Sequence, residues 1–125
     1  MSRYTAILAA LAFVFYALPS EPRVQFVNIA REAGIAFKHE SGASKEKLMP
    51  ETFGSGVAWI DFDNDGLPDL FFSNGADMAK GSPSPGNALY HNLGSGKFED
   101  VTRKAGVSGN GMFATGATVG DYDND

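Results

Sequence analysis

Four aspartates stand close together at positions 61, 63, 65 and 69, in the stretch DFDNDGLPD, with a glycine at position 66. Clustered carboxylates suit a hard dication, because calcium takes about six to eight oxygen ligands at roughly 2.4 Å. Alternate side chains of an extended strand lie about 6.6 Å apart, too far for one ion, so the segment must curl. Gly66 permits that curl by accepting a positive φ. The pattern predicts a Ca²⁺ loop with ligands from the side chains of Asp61, Asp63, Asp65 and Asp69 and the backbone carbonyl of Leu67.

The spacing of this acidic loop overlaps that of an EF-hand. An EF-hand needs a bidentate glutamate at its twelfth position and a helix on each side. Position twelve is Phe72, and the flanks VAWI and LFFSN are rich in the aromatic and β-branched residues typical of strands. We therefore exclude the EF-hand and predict a loop that joins two strands. A turn of Asp, Asn and Gly that binds no metal is the alternative.

The chain contains an internal repeat. FVNIAREAGI at 26–35 returns as FEDVTRKAGV at 98–107, and GSGVAWIDFDND at 54–65 returns as ATGATVGDYDND at 114–125. The segments of the first pair start 72 residues apart, and those of the second pair start 60 residues apart. The difference of twelve residues places a polar insertion, expected to decorate a rim, at roughly 36–53. A period near sixty residues indicates one supersecondary unit per repeat. A second acidic cluster, DYDND, thus returns at 121–125.

Strand-like segments dominate the repeat. Gly94 and Gly96 predict a hairpin between the segments 87–93 and 97–102. Gly34 and Gly106 are placed to end short helical turns. Four short strands per repeat predict an all-β fold, either a β-propeller blade or a stacked β-array. The predicted strands, rich in β-branched and aromatic residues, are 57–62, 69–74, 87–93 and 97–102.

The amino end predicts export. Arg3 precedes an apolar run from Tyr4 to Leu18, and Pro19 and Ser20 follow it. A run of this length fits a secretory signal and falls short of the roughly 20 residues of a membrane-spanning helix. We expect a secreted, periplasmic or cell-surface protein, with an uncleaved N-terminal anchor or a buried helix as alternatives.

The repeat and the amino end together divide the chain into four segments. Residues 1–20 are the signal segment, 21–53 precede the first blade and carry the polar insertion, 54–107 form that blade, and 108–125 begin a second, truncated blade. We therefore expect an N-terminal fragment of a longer propeller.

Charge and composition exclude several functions. The chain has 10 basic and 15 acidic residues and a net charge of −5, so no basic surface is expected for nucleic acid or an anionic membrane. It has no cysteine, which excludes a disulfide framework and thiolate metal sites.

These motifs, taken in order, resemble the FG-GAP or VCBS repeat family. Phe53-Gly54, Val57-Ala58 and the acidic loop follow its pattern over about residues 52–77, and the pattern restarts at Phe113. Members of that family build β-propellers in which a D-x-D-x-D-G-x-x-D calcium loop joins two strands of a blade. The resemblance implies the same fold and the same ion for this chain, as about one blade plus the start of the next. It also implies a further, incomplete set of metal ligands in the second acidic cluster: Asp121, Asp123 and Asp125.

A narrower resemblance rests on F-x-D-V-T-x-x-A-G-V before the block G-D-Y-D-N-D. It is similar to the cartilage acidic protein group and its bacterial relatives with ASPIC/UnbV tails. Asp77 stands where the family has the proline of Gly-Ala-Pro, and Ala114 replaces the glycine after Phe113. Both departures argue against the integrin-like subgroup.

These features together predict an exported, non-enzymatic propeller module in which calcium is structural. We expect it to act as a binding or adhesion scaffold for an extracellular protein or glycan. The alternative is a carbohydrate-active propeller enzyme that uses calcium to bind its substrate. His39 and His91 are interpreted as strand or loop histidines with no nucleophile beside them, and Trp59 as core. Three acids of the insertion, Glu40, Glu46 and Glu51, are interpreted as a solvated rim.

Overall fold

The computed structural model describes residues 23–77, 85–109 and 111–121. Its centre is one antiparallel sheet in which each strand pairs with the next along the chain. The all-β blade predicted from the sequence is confirmed. The strands are β1 (Val57–Ile60), β2 (Asp69–Phe72), β3 (Ala88–Gly94) and β4 (Lys97–Asp100). Two short helices accompany them, a 3₁₀ helix at Met49–Thr52 and α1 at Thr102–Ala105.

The strand register determines which residues share a face of the sheet. Trp59 pairs with Leu70 and Leu70 with Tyr90, whereas Ile60 pairs with Asp69 and His91 with Glu99. Because side chains alternate between faces, the first set lies on one face of the sheet and the second set on the other.

Trp59 lies on the first of these faces but is 60% exposed, so its interpretation as core is wrong. It belongs to β1, the edge strand of the sheet, and its described ring contact is with Phe98, at a centroid distance of 6.4 Å. A side chain on an edge strand has a neighbouring strand on one side alone, and the indole is left partly in solvent.

The turn between β3 and β4 confirms the predicted hairpin. Ser95 and Gly96 have positive φ values of 52° and 71°, as a two-residue turn matched to the strand twist requires. The two predicted helix stops are confirmed as well. Gly34 has a φ of 88°, and Gly106, which follows α1, has a φ of 73°.

One face of the sheet carries a small aromatic core. Leu70, Ala88 and Tyr90 are buried there, and Phe37 stacks on Phe72 with ring centroids 4.6 Å apart. Phe72 also meets Tyr90 edge to face at 5.8 Å. Phe37 belongs to the segment predicted as a polar rim, and for this residue the prediction is wrong. Its ring covers the strand pair because an apolar side chain gains more by packing there than in water.

The same insertion is bonded to the chain beyond β2. Asn74, only 1% exposed, accepts a hydrogen bond from the Glu40 N–H at 2.8 Å and donates one to the Lys38 carbonyl at 3.2 Å. A Cβ on Gly75 would clash with the Glu40 carbonyl oxygen. The insertion therefore runs directly against the blade through Lys38–Glu40.

The start of the second repeat also lies against the first. The Ala114 N–H donates to the Asn74 carbonyl at 2.9 Å. A Cβ on Gly56 would lie 2.6 Å from the Ala117 nitrogen and 2.7 Å from the Gly116 Cα. Gly56 and Gly116 occupy equivalent positions of the two repeats, so the repeats approach each other at the glycine that precedes the first strand.

No helix within the described ranges combines the length and the apolar character that crossing a membrane demands. The predicted export signal at 1–20 lies outside the described residues. The predicted boundaries at 53/54 and 107/108 stay predictions.

Tyr90 gives the core a dependence on alkaline pH. Burial raises the pKa of its phenol above the ordinary value of 10.0, and Asp100 adds to the rise, while the hydrogen bond from the Ala36 N–H opposes it. The folded state therefore holds this proton more tightly than the unfolded state. The resulting stability is complete below the unfolded pKa and is lost as pH rises through the folded pKa.

We expect the urea concentration at the midpoint of unfolding to decrease as the pH is raised from about 9 to about 11, the range in which an unfolded tyrosine loses its proton. Tyr90→Phe should flatten that slope, although it also removes the bond to Ala36 and lowers stability at every pH. The measurement is urea unfolding of the parent chain and of Tyr90→Phe across this pH range. Equal slopes of midpoint against pH in the two proteins would contradict the role given to Tyr90.

Candidate metal site

The acidic loop occupies the connection between β1 and β2. It leaves β1 at Asp61 and enters β2 at Asp69, and the pairing of Ile60 with Asp69 brings its two ends together. The curl depends on two residues of positive φ, Asn64 at 59° and Gly66 at 85°. A Cβ on Gly66 would meet no atom within 4 Å, so the backbone conformation and not a lack of space favours glycine there.

The aspartates of the loop hydrogen-bond to its own backbone. Asp61 accepts the N–H of Asp65 at 3.1 Å and that of Gly66 at 2.9 Å, one on each carboxylate oxygen. Asp65 accepts the N–H of Leu67 at 2.7 Å. Short polar side chains commonly stabilise turns in this way. The loop is therefore shaped by its carboxylates before any ion is considered.

Asp69 differs from the other three aspartates because it is fully buried, with 0% of its surface exposed. One of its oxygens accepts the N–H of Phe62 at 3.1 Å. The other accepts the N–H of Asn92 at 2.7 Å and lies 3.1 Å from Nδ1 of His91. Asp69 thus ties the loop to β3, a structural role that the prediction of a simple metal ligand did not include.

The four aspartates converge in two overlapping groups. One oxygen each of Asp61, Asp63 and Asp69 lie within 4.8 Å of one another. A ring nitrogen of His91 and one oxygen each of Asp63 and Asp65 form the second group within the same limit. Asp63 belongs to both. The sequence-predicted side-chain ligands of the first loop are therefore brought together.

His91 is the site residue that the sequence reasoning missed. It was interpreted as a strand histidine, and it is one, but its Nδ1 also lies 3.6 Å from Asp63 Oδ2. The ring of Phe62 meets the imidazole edge to face at 5.7 Å. His91 lies beside Asp69 because the register of β2 and β3 pairs Leu70 with Tyr90. Residues 73–87 separate the two strands, and across a connection of that length the register could not be predicted from the sequence.

The ligand roles of the remaining predicted residues stay predictions. Leu67 donates its N–H to Asp65, and the ligand role of its carbonyl stays a prediction. Asp121 belongs to neither of the two groups found among the described residues. Asp123 and Asp125 lie outside the described residues.

The first group fits calcium by the chemistry of its donors. All three donors are carboxylate oxygens, the ligands that a hard cation prefers. A carboxylate offers about four lone-pair positions, so Asp61, with two polar contacts, and Asp69, with three, both keep capacity for an ion. Like charges 4 Å apart repel by about 1 kcal/mol in water and about 4 kcal/mol at an effective dielectric of 20. A bound dication reverses that repulsion.

Other acids and the second histidine make local contacts. Glu51 accepts bonds from the Ser44 hydroxyl and N–H and from the Leu48 N–H, and the Ser44 hydroxyl in particular lowers its pKa. Ser55 Oγ lies 3.1 Å from Nδ1 of His39. The interpretation that no nucleophile lies beside either histidine is therefore wrong for His39. This contact lies in an exposed part of the chain.

A four-stranded antiparallel sheet with an acidic loop between its first two strands defines a blade of the β-propeller class. The FG-GAP-like repeat family matches residues 61–125, more than half of the 125 residues, and the chain belongs to that family. The match begins at the first aspartate of the acidic loop and runs through the second acidic cluster. No curated protein and no solved structure matches the chain.

Proposed function

We propose that the chain is an exported, calcium-binding propeller module in which calcium has a structural role. The observation that carries this proposal is the convergence of Asp61, Asp63 and Asp69 within 4.8 Å in a loop closed by backbone N–H groups. Export is supported by the apolar run of residues 4–18 after Arg3. The narrower motif supports a relation to the cartilage acidic protein group.

In this proposal the ion completes the junction between three strands. Asp61 follows β1, Asp69 begins β2, and Asp69 accepts the Asn92 N–H of β3. Calcium held by the first group would connect these points and remove the mutual repulsion of the carboxylates. Because a ligand that binds only the folded state stabilises it, metal binding and folding share one free energy.

We propose a binding or adhesion role, without enzymatic activity, toward an extracellular protein or glycan. The net charge of −5 and the local acidic clusters argue against nucleic acid as the partner. A carbohydrate-active enzyme is the alternative, and the contact between Ser55 and His39 is the observation that favours it. Glycan hydrolysis that is lost in Ser55→Ala would support this alternative.

Calcium should raise the melting temperature of the chain. We expect a rise of about 5 °C or more at a calcium concentration about a hundredfold above Kd, since such an excess adds about 2.7 kcal/mol. The measurement is thermal unfolding in calcium and in a chelator. Magnesium at the same concentration is the control for screening, because it keeps its water shell and needs an octahedral site. Equal melting temperatures in calcium and chelator would refute the proposal.

A further inference from the structure

His91 places a nitrogen donor beside the acidic loop, and nitrogen changes which metals the loop can hold. A ring nitrogen of His91 lies within 4.8 Å of one oxygen each of Asp63 and Asp65. Calcium selects oxygen donors almost entirely, whereas imidazole suits zinc and other transition-metal dications. From this mixed set we infer that the loop has a second metal position, formed by Asp63, Asp65 and His91, that takes a transition-metal dication.

The imidazole comes from outside the acidic loop and is held in place. His91 lies in β3 next to Asn92, whose N–H bonds to the fully buried carboxylate of Asp69. The Nδ1 atom of His91 is 3.1 Å from an oxygen of the same carboxylate. In metal sites a carboxylate commonly orients a histidine by accepting the N–H of the ring nitrogen that does not bind the metal. With Nδ1 bonded to Asp69, Nε2 is the nitrogen left for an ion. Asp63 and Asp65 are exposed, so their side chains have room to adjust to an ion. The position therefore combines one fixed nitrogen donor with two adaptable oxygen donors.

This position goes beyond the proposed calcium function and does not depend on it. It uses His91 and Asp65, which the first group lacks, and the first group uses Asp61 and Asp69. Asp63 is common to both, so a metal at one position competes for a ligand of the other. Three protein ligands with an open place for water are a frequent arrangement for zinc.

The test compares the chain's two histidines by isothermal titration with Zn²⁺. His91→Gln should weaken zinc binding by at least about tenfold, since even the loss of an outer-shell partner costs about 10–100-fold. His39→Gln is the matched control and should leave the affinity unchanged, because His39 contacts Ser55 and belongs to neither of the two ligand groups found among the described residues. Zinc affinity that is the same in His91→Gln and in the parent chain overturns the inference.

A second measurement keeps His91 and so does not depend on the folding of His91→Gln. Pulsed EPR of Cu²⁺ bound to His39→Gln, whose one remaining imidazole is that of His91, should show coupling to an imidazole nitrogen, and ¹⁵N-histidine labelling should change that coupling. Bound copper without nitrogen coupling counts against the inference. The two proposals fail separately: an absent calcium response with histidine-dependent zinc binding removes only the calcium function, and the reverse pattern removes only the second position.

Discussion

Replacing Asp69 by alanine is expected to lower the free energy of unfolding by about 2 to 3 kcal/mol, even in a chelator, because the change removes a buried carboxylate and leaves two partly buried N–H donors without their acceptor. Those donors are the backbone N–H groups of Phe62 and Asn92, and the contact with His91 is lost as well. The measurement is urea unfolding in the absence of metal.

Asp65→Ala is the matched control within the same loop. Asp65 is exposed, and the bond it accepts comes from the N–H of Leu67, which water can satisfy instead. Its loss of stability in chelator should be much smaller than that of Asp69→Ala. Equal losses in the two variants would show that Asp69 does not tie the loop to β3.

Asp63→Asn is expected to abolish the stabilisation that calcium gives, while stability in chelator should not fall. Asp63 belongs to both groups of potential ligands, and its described contact is with His91 at 3.6 Å. The amide therefore removes a charge from the site without breaking the bonds that Asp61 and Asp65 make to the loop backbone. Removing a like charge also relieves repulsion in the metal-free loop.

The measurement is the calcium-dependent shift in melting temperature of Asp63→Asn beside the parent chain. Glu32→Gln changes the formal charge by the same amount at an exposed position outside both groups, and it should keep the full shift. A shift retained in Asp63→Asn, or lost in both variants, would contradict a specific role for this carboxylate.

Local features of the chain were predictable from its sequence. The acidic loop, the strand starts at Val57, Asp69 and Lys97, and the turn at Ser95 and Gly96 all depend on neighbouring residues. Strand propensity and turn chemistry act over a few positions, so they can be recognised without the fold. Three of the four strands end two residues before their predicted limits, where the chain turns away from the sheet.

Features that depend on long-range pairing were not predictable. The burial of Asp69 and the place of His91 both follow from the register of β2 with β3, strands that lie fifteen residues apart in the chain. The packing of Phe37 on Phe72 joins an insertion to a strand in the same way. Composition marked the insertion as polar, and the packing of Phe37 together with the bonds from Asn74 to Lys38 and Glu40 holds its first part against the blade.

Calcium binding between Asp61, Asp63 and Asp69 is tested most directly by a calcium titration followed by ¹H–¹⁵N NMR. We predict that the largest changes in chemical shift occur at the backbone amides of residues 61–69 and of Asn92, whose N–H bonds to Asp69. The amides of Gly66 and Leu67, which bond to carboxylates of the loop, should be among them. Unchanged amides across 61–69 at saturating calcium, or changes confined to other parts of the chain, would contradict calcium binding at this site.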